Sequence, residues 1–400
     1  MFSKTNIKQL FLKILTFLMS FIIILSSDTI YSLNNGYIYL EISLAFLFIL
    51  TFVIDPLWDI TYHFLLIFLG YIALGTFLCI TSDFSAYSLY NFGFLFPLCM
   101  LIANYFLGKH KIRAFLESLL FILTIITVIS LIFWILGSNL KLISPTSSTF
   151  ITWGETPKQV TSYFNLYFEP QGMPVDGLIS RLNIMMLSRN SSIFVEAVLA
   201  NFFFSIGFIL SEILNKGKKY RIIYLVAIFS TFTTSGFTVA GLFILYSIIR
   251  TKPTNLIGKV LKYLVYIVTL IFVVCFALLL VTDKSSTISG NDRRLKVTNE
   301  LIGFLNSPIY GNGINTYTKG SSNALSAVAA DGGILLFLIY YFPLIKLTIS
   351  SFIKMNSSLI IFISLFFLME TSVVQYTPFV IIAVALSWEL VLMNKNEKFC

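Results

Sequence analysis

Apolar residues run in long, nearly unbroken stretches along this chain, with short polar connections between them. Stretches of roughly 18 or more recur from end to end, the length a helix needs to cross a hydrocarbon core of about 30 Å. Lipid offers no partner to backbone amides and carbonyls, so these stretches predict helices that satisfy their own hydrogen bonds. The predicted spans are about 10–26, 37–54, 62–81, 91–108, 114–136, 193–213, 221–234, 236–249, 260–281, 330–345, 357–373 and 377–393. They predict an all-α polytopic membrane protein of about 12 transmembrane helices, one membrane domain over residues 1–400.

Residues 221–250 would also suit a single long, tilted helix. The polar cluster Thr231, Thr233, Thr234, Ser235 and Gly236 predicts a break instead. Each half, of ~14 residues, reaches only ~21 Å. The turn between them is therefore expected below the membrane surface, where protein or a water-filled cavity must cover it.

Composition agrees with the pattern. Hydrophobic residues make up 57% of the chain, charged residues 11%, and mean hydropathy is +0.89; a soluble domain carries about 25% charged residues. The net charge of +9 would suit nucleic acid if it formed a groove or stripe, but the basic residues fall between the spans. With the N-terminus in the cytoplasm, Lys4, Lys8, Lys111, Arg113, Lys216, Arg221, Arg250, Lys262, Lys346 and Lys395 all fall inside, and the short outer connections carry no Lys or Arg. The positive-inside rule then predicts both termini cytoplasmic. A single pass over 221–250 would push the basic stretch from Arg250 to Lys262 outside, a second reason to expect the break. The run 10–26 lacks a small-residue cleavage site and reads as a retained first span. Cys79, Cys99 and Cys275 lie in apolar runs and Cys400 is terminal, which gives no disulfide framework.

Two large outer-face loops remain, 137–192 and 282–329. Structureless loops beyond about 12–15 residues are uncommon unless they function, so their shared face is expected to be the working one. The first mixes Trp153, Glu155, Tyr163, Phe164, Tyr167, Phe168, Glu169 and Pro170. Such residues suit either an aromatic belt at the headgroups or a sugar-facing platform. The loop ends in Arg181 and Arg189, and Glu196 follows two helical turns after Arg189, on the same face if the helix begins early enough. An ionisable group at lipid depth is a functional candidate by default; an ion pair between helices is the structural alternative.

In the second loop a short amphipathic helix is expected at about 292–306, with Asp292 as N-cap. At 100° per residue Leu295, Thr298, Ile302 and Leu305 form one stripe, and Arg293, Lys296 and Glu300 the opposite face. Ordinary solvation accounts for Arg293 and Lys296. Arg294 stands beside the apolar stripe, where a guanidinium suits bidentate recognition of phosphate. Gly311-Asn312-Gly313 reads as a flexible turn, followed by Ser321-Ser322-Asn323 and by Asp331-Gly332-Gly333 at the mouth of the next span. Cations and acids beside apolar helix surface are what an anionic, lipid-tethered substrate would require.

Other chemistries fit poorly. His63 and His110 fall at inner connections, leaving no outer histidine base or zinc site, and no metal or other cofactor is expected. No phosphate-binding Gly-Lys-Ser/Thr loop is present. Ion-motive transport would place ionisable groups at mid-span, whereas Glu41, Glu117, Glu196, Glu212, Glu370 and Glu389 lie near span ends.

At these residues the chain resembles the bacterial O-antigen and capsular polysaccharide polymerases (the Wzy type) and the related O-antigen ligases. The marks are Arg189-Asn-Ser-Ser-Ile-Phe-Val-Glu196, Thr231-Phe-Thr-Thr-Ser-Gly236, Arg294-Leu, Ser307-Pro-Ile-Tyr-Gly-Asn-Gly313, and Ser322-Asn323 ahead of Asp331-Gly332. The resemblance implies metal-independent glycosyl transfer at the outer face of a bacterial plasma membrane. The activity it implies is polymerisation of oligosaccharide repeat units carried on undecaprenyl pyrophosphate into capsular, exo- or O-antigen polysaccharide. It further implies that Arg189 and Arg294 hold the pyrophosphates and that Glu196 or Asp331 orients or deprotonates the acceptor hydroxyl. Arg181, Glu169, Arg293, Lys296 and Asn323 would contact substrate. Implied partners are the lipid-linked oligosaccharide, the bilayer, and a chain-length regulator and flippase of the same pathway. Two departures stand out: Ser322 precedes Asn323 where relatives often have histidine, and Ala197 follows Glu196 where many carry proline. The missing histidine favours polymerase over ligase. A lipid-linked oligosaccharide flippase is the alternative of another class, but it would be expected to have short loops on both sides.

Overall fold

The computed structural model describes residues 4–56, 62–81, 86–108, 111–152, 157–174, 177–183, 185–250, 288–318, 320–321, 323–353 and 358–393, with scattered positions from 258 to 282. The apolar stretches form α1 (Lys4–Leu25), α2 (Gly36–Ile54), α3 (Tyr62–Thr81) and α4 (Ala86–Tyr90), the last continuing through a wide π-helical turn at Asn91–Leu95 into α5 (Phe96–Gly108). α6 (Ile112–Phe133) ends in a second wide turn, Trp134–Asn139. Further along come α7 (Gly177–Leu182), α8 (Ala197–Ile213), α9 (Lys218–Ser230), α10 (Thr234–Arg250), α11 (Ile288–Asn306), α12 (Ala324–Ile353), α13 (Ser358–Thr371) and α14 (Pro378–Met393). Most of the predicted span 260–281 lies outside the described residues.

Among the described residues, five stretches are long and apolar enough to cross a membrane: Ile7–Leu25, Gly36–Ile54, Ser88–Gly108, Ile112–Asn139 and Ala324–Ile353. α8, α10, α13 and α14 are shorter apolar helices. Leu10, Phe46, Ile49 and Val53 stand exposed on α1 and α2, Val53 at 67%. Water would penalise that surface and lipid accepts it; this is a helical membrane protein. α8 runs through the interior, where Phe203 stacks on Phe194 and Phe208 on Phe243.

Ion pairs gather at one end of the bundle. Asp55 takes Lys111 at 2.6 Å and Lys8 at 3.8 Å, and Glu117 takes Lys216 at 3.3 Å. Buried Glu212, at the end of α8, takes Arg221 on both oxygens, Oε2 at 3.0 Å, and Arg250 on Oε2 at 2.5 Å. Since Arg221 begins α9 and Arg250 ends α10, the two helices fold back as a hairpin. Its turn falls at Thr231–Thr233, with Phe232 at φ 46°, where the polar cluster predicted it. Thr231 and Thr233 are buried, and their hydroxyls lie 3.1 Å apart.

Three sequence expectations change. The fold is not all-α: the first loop folds as an antiparallel sheet in the order β1 (Ser147–Thr152), β2 (Pro157–Tyr163), β3 (Tyr167–Glu169), with Thr149 opposite Val160 and Thr161 opposite Glu169. Its Thr, Val, Ile and Tyr residues suit a half-buried pleated surface, and Ile151, Val160 and Phe168 pack on Ile30 and Leu33 of the α1–α2 connection. α8 begins at Ala197, so Arg189 and Glu196 do not share a helix face; Glu196 is its extended N-cap residue, at φ −147° and ψ 152°. α11 begins at Ile288, so Asp292 lies inside the helix and pairs with Lys296 at 3.1 Å instead of capping it.

Candidate functional site

The end of the bundle opposite the ion pairs carries two units, one from each long loop. In the first, residues 190–195 are buried between the α1–α2 connection, β3 and α9 and make a turn, with Ser192 at φ 55° and Phe194 N donating to Ser191 O at 2.9 Å. Ile30 donates its amide to Ile193 O at 2.9 Å, Phe168 to Ser192 O at 2.9 Å, and Asn190 to Ser230 O at 2.9 Å. Asn190 is fully buried. Its Oδ1 accepts from Ser130 Oγ at 2.6 Å and from Ser192 N at 3.1 Å, while its Nδ2 donates to Ser230 Oγ at 2.9 Å. A side chain so saturated fixes the path of the segment.

This path sets Arg189 and Glu196 at opposite ends of a buried, turned segment, both half-buried. Glu196 makes no capping bond to α8; Gln171 Oε1 takes the Ala197 amide at 3.1 Å. Glu196 faces Asp28, whose carboxyl is pushed up to about 7 by burial and then by Glu196. Glu169 ends β3 half-buried, where burial raises its carboxyl above the ordinary range against the pull of Thr161, Ser138, Ser188 and Lys141. Arg181 stands exposed on α7. Trp153 and Glu155 lie outside the described residues. Tyr163 and Tyr167 turn inward against Phe133, at ring distances of 5.9 and 6.5 Å, so they line no open platform; Phe164 is exposed.

The second unit is α11 laid against the first half of α12. α12 breaks at Gly333, whose φ of 60° and ψ of −159° only glycine adopts readily. The break frees carbonyls that residues 308–313 take up: Asn312 N donates to Ala330 O at 3.1 Å and Gly313 N to Asp331 O at 2.9 Å. In return, the Ile334 amide donates to Pro308 O at 2.9 Å. A Cβ on Gly311 would lie 2.3 Å from Asp331 O, and one on Gly333 2.5 Å from Ile309 O. Gly311-Asn312-Gly313 is therefore no flexible turn. It is the backbone lock on Asp331-Gly332-Gly333.

Asp331 is correspondingly interior, at 1% exposure. It takes Thr318 Oγ1 on one oxygen at 2.7 Å and Tyr376 OH on the other at 2.6 Å. Both oxygens serve the fold, which suits a positioning residue better than a group that touches substrate.

α11 also differs from expectation. Glu300, expected on the charged face with Arg293 and Lys296, is buried against α12 and accepts from Ser326 Oγ. Burial raises its carboxyl above the ordinary range, opposed by Ser321, Ser326 and Lys296. The apolar stripe faces out: Leu295, Ile302 and Leu305 are exposed, Leu305 at 73%. Arg294 is exposed beside them, and Arg293 is half-buried. Among the described residues no carboxylate forms an ion pair with Arg181, Arg293 or Arg294.

Asn323 caps α12, its Oδ1 accepting from Leu325 N at 2.8 Å and its Nδ2 donating to Glu370 Oε1 at 2.5 Å. Arg293, Arg294, Lys296, Asn323 and Asp331 thus belong to one unit, and Glu169, Arg181, Arg189 and Glu196 to the other. Sequence reasoning missed Glu300, Glu370 and Tyr376. A signal existed for Glu370, an acid at the very end of an apolar run. Ser322 lies outside the described residues. No protein-family model, curated protein or solved structure matches the chain.

Proposed function

We propose that the chain polymerises oligosaccharide repeat units carried on undecaprenyl pyrophosphate, at the outer face of a bacterial plasma membrane. The observation that carries this reading is the outward face of α11. Leu295, Ile302 and Leu305 present an apolar surface and Arg294 an exposed guanidinium at its edge. A polyprenyl pyrophosphate brings an apolar chain and clustered phosphates to one place, and such a helix complements both at once.

The orientation in this reading is twelve spans with both termini cytoplasmic. It is supported by the gathering of Lys8, Lys111, Lys216, Arg221 and Arg250 around Asp55, Glu117 and Glu212 at one end, away from both long loops. In the reaction the acceptor hydroxyl oxygen bonds to the donor's anomeric carbon, and the bond from that carbon to the pyrophosphate oxygen breaks. The electron pair leaves with the pyrophosphate, where Arg294 and Arg189 stabilise the charge. Preorganised cations aimed at developing charge are worth about 2.7–4 kcal/mol each when removed singly. A chain-length regulator and a flippase of the same pathway would act beside it.

The test is the lipid-linked glycan profile, resolved by unit number, of a deletion strain complemented with wild type or Arg294→Ala. The expected result is translocated single units in both the deletion and the Arg294→Ala strain, with the variant inserted at normal level. Untranslocated units on the inner leaflet of the deletion strain would instead identify a transporter. Normal polymer from Arg294→Ala would remove Arg294 from the site.

A further inference from the structure

Glu370 closes α13 at the loop end of the bundle. It is exposed, and Asn323 Nδ2 holds one of its oxygens at 2.5 Å. Asn323 is itself held by Ser321, whose Oγ donates to Asn323 O at 3.1 Å and accepts from Asn323 N at 3.2 Å. Behind this cap lies Glu300, fully buried, with Oε2 on Ser326 Oγ in the first turn of α12. The other oxygen of Glu300 is also buried and meets no donor among the described residues. Neither oxygen of Glu300 is reached from outside, so the residue sits behind the cap as part of its packing. Arg294 stands six residues earlier on the same helix, about 9 Å along its axis. The loop end of α13 thus presents an exposed carboxylate fixed by an amide, with Arg294 on the outward side of α11 and Glu300 on its inward side.

We infer that Glu370, aimed by Asn323, is the group that takes the proton from the acceptor sugar's hydroxyl, and that buried Glu300 positions this cap from behind through Ser326. This deepens the polymerase reading and rests on it. As the hydroxyl oxygen bonds to the anomeric carbon, its proton passes to the Glu370 carboxylate; the pyrophosphate departs with its electron pair and the proton is later released to water. The charged and titratable groups that face this pair are Lys296 and Asp331 toward Glu300, and Glu300 and Tyr341 toward Glu370, with Asp292 paired to Lys296 behind.

The experiment uses the full-length protein in liposomes with the native lipid-linked single units extracted from the deletion strain. Glu370→Gln is expected to lower the initial elongation rate by ~100-fold or more, the scale of a lost general base, while Glu370→Asp regains part of it. Asn323→Asp, nearly isosteric, sets a second negative charge beside Glu370. It is expected to move the acid limb of the rate profile to higher pH by about one unit, whereas a purely structural lesion lowers the rate equally at every pH. Full activity in Glu370→Gln, or an acid limb unmoved by Asn323→Asp, overturns the inference. If Glu370→Gln does not reach the membrane, the Asn323→Asp profile alone decides. Failure of the polymerase reading shows separately, as a deletion strain that accumulates no translocated single units.

Discussion

Tyr376 donates its hydroxyl to Asp331 Oδ2 at 2.6 Å, tying the α13–α14 connection to the broken stretch of α12. Burial and the neighbouring Asp331 hold that phenol well above its ordinary range, so it remains the donor at any physiological pH. Tyr376→Phe leaves one oxygen of a buried carboxylate without its partner. The expected cost is about 1–3 kcal/mol, read as a lowered thermal midpoint in detergent with α11–α12 the first region to exchange amide hydrogens.

Gly333→Ala is expected to be far more damaging than its size suggests. The residue sits at φ 60° and ψ −159°, worth about 1–3 kcal/mol of strain for alanine, and its methyl would press on the backbone of Ile309. Gly70→Ala is the control, since a Cβ there meets nothing within 4 Å. Membrane-inserted yield should collapse for the first variant and stay level for the second.

Accessibility labelling tests orientation. In a background with all four native cysteines replaced by serine, Leu305→Cys should react with an impermeant maleimide in intact cells. Lys218→Cys, exposed at the opposite end of the bundle, should react only after permeabilisation. The reverse pattern would put Arg294 in the cytosol and end the glycan reading.

Asp28 predicts a pH dependence of stability. Its folded carboxyl titrates at about 7 against an ordinary value of 3.8, so between those values the folded state holds more proton than the unfolded one. Stability should therefore fall as pH rises from about 4 to 7 and level off above. Asp28→Asn should flatten that slope in a detergent melting series, leaving the acid side unchanged.

The helices were legible because lipid-length apolar runs have few alternative fates, and even the break at Thr231–Gly236 announced itself through clustered hydroxyls and a glycine. The sheet was not. Ser147, Ser148 and Thr149 show no alternation of polar and apolar residues, and its inner face is completed by Ile30 and Leu33, more than 100 residues away. The shared face of Arg189 and Glu196 needed an early helix start, and α8 instead begins at Ala197, after Asn190, Ser191 and Ser192, whose side chains compete for backbone partners. On α11 the error was one of solvent. Arg293, Lys296 and Glu300 were expected to share one solvated face, but the stripe of Leu295, Ile302 and Leu305 looks outward and the inward face buries Glu300. Of the candidate site, Arg294 and Asn323 were visible from local context. Glu370 became a candidate only when folding brought it to Asn323, across 47 positions of sequence.

The double clamp on Glu212 bears on how the protein is made. α9 has 13 residues and reaches about 20 Å, too short to settle across a bilayer by itself. As the chain emerges, Arg221 can cover both oxygens of Glu212 at once, and Arg250, synthesised 38 positions after the acid, adds a second cation on Oε2. Because α9 is too short to cross alone, α8 and α9, already joined through Glu212 and Arg221, are expected to stay at the insertion machinery until α10 completes the hairpin, and to enter the lipid as a trio.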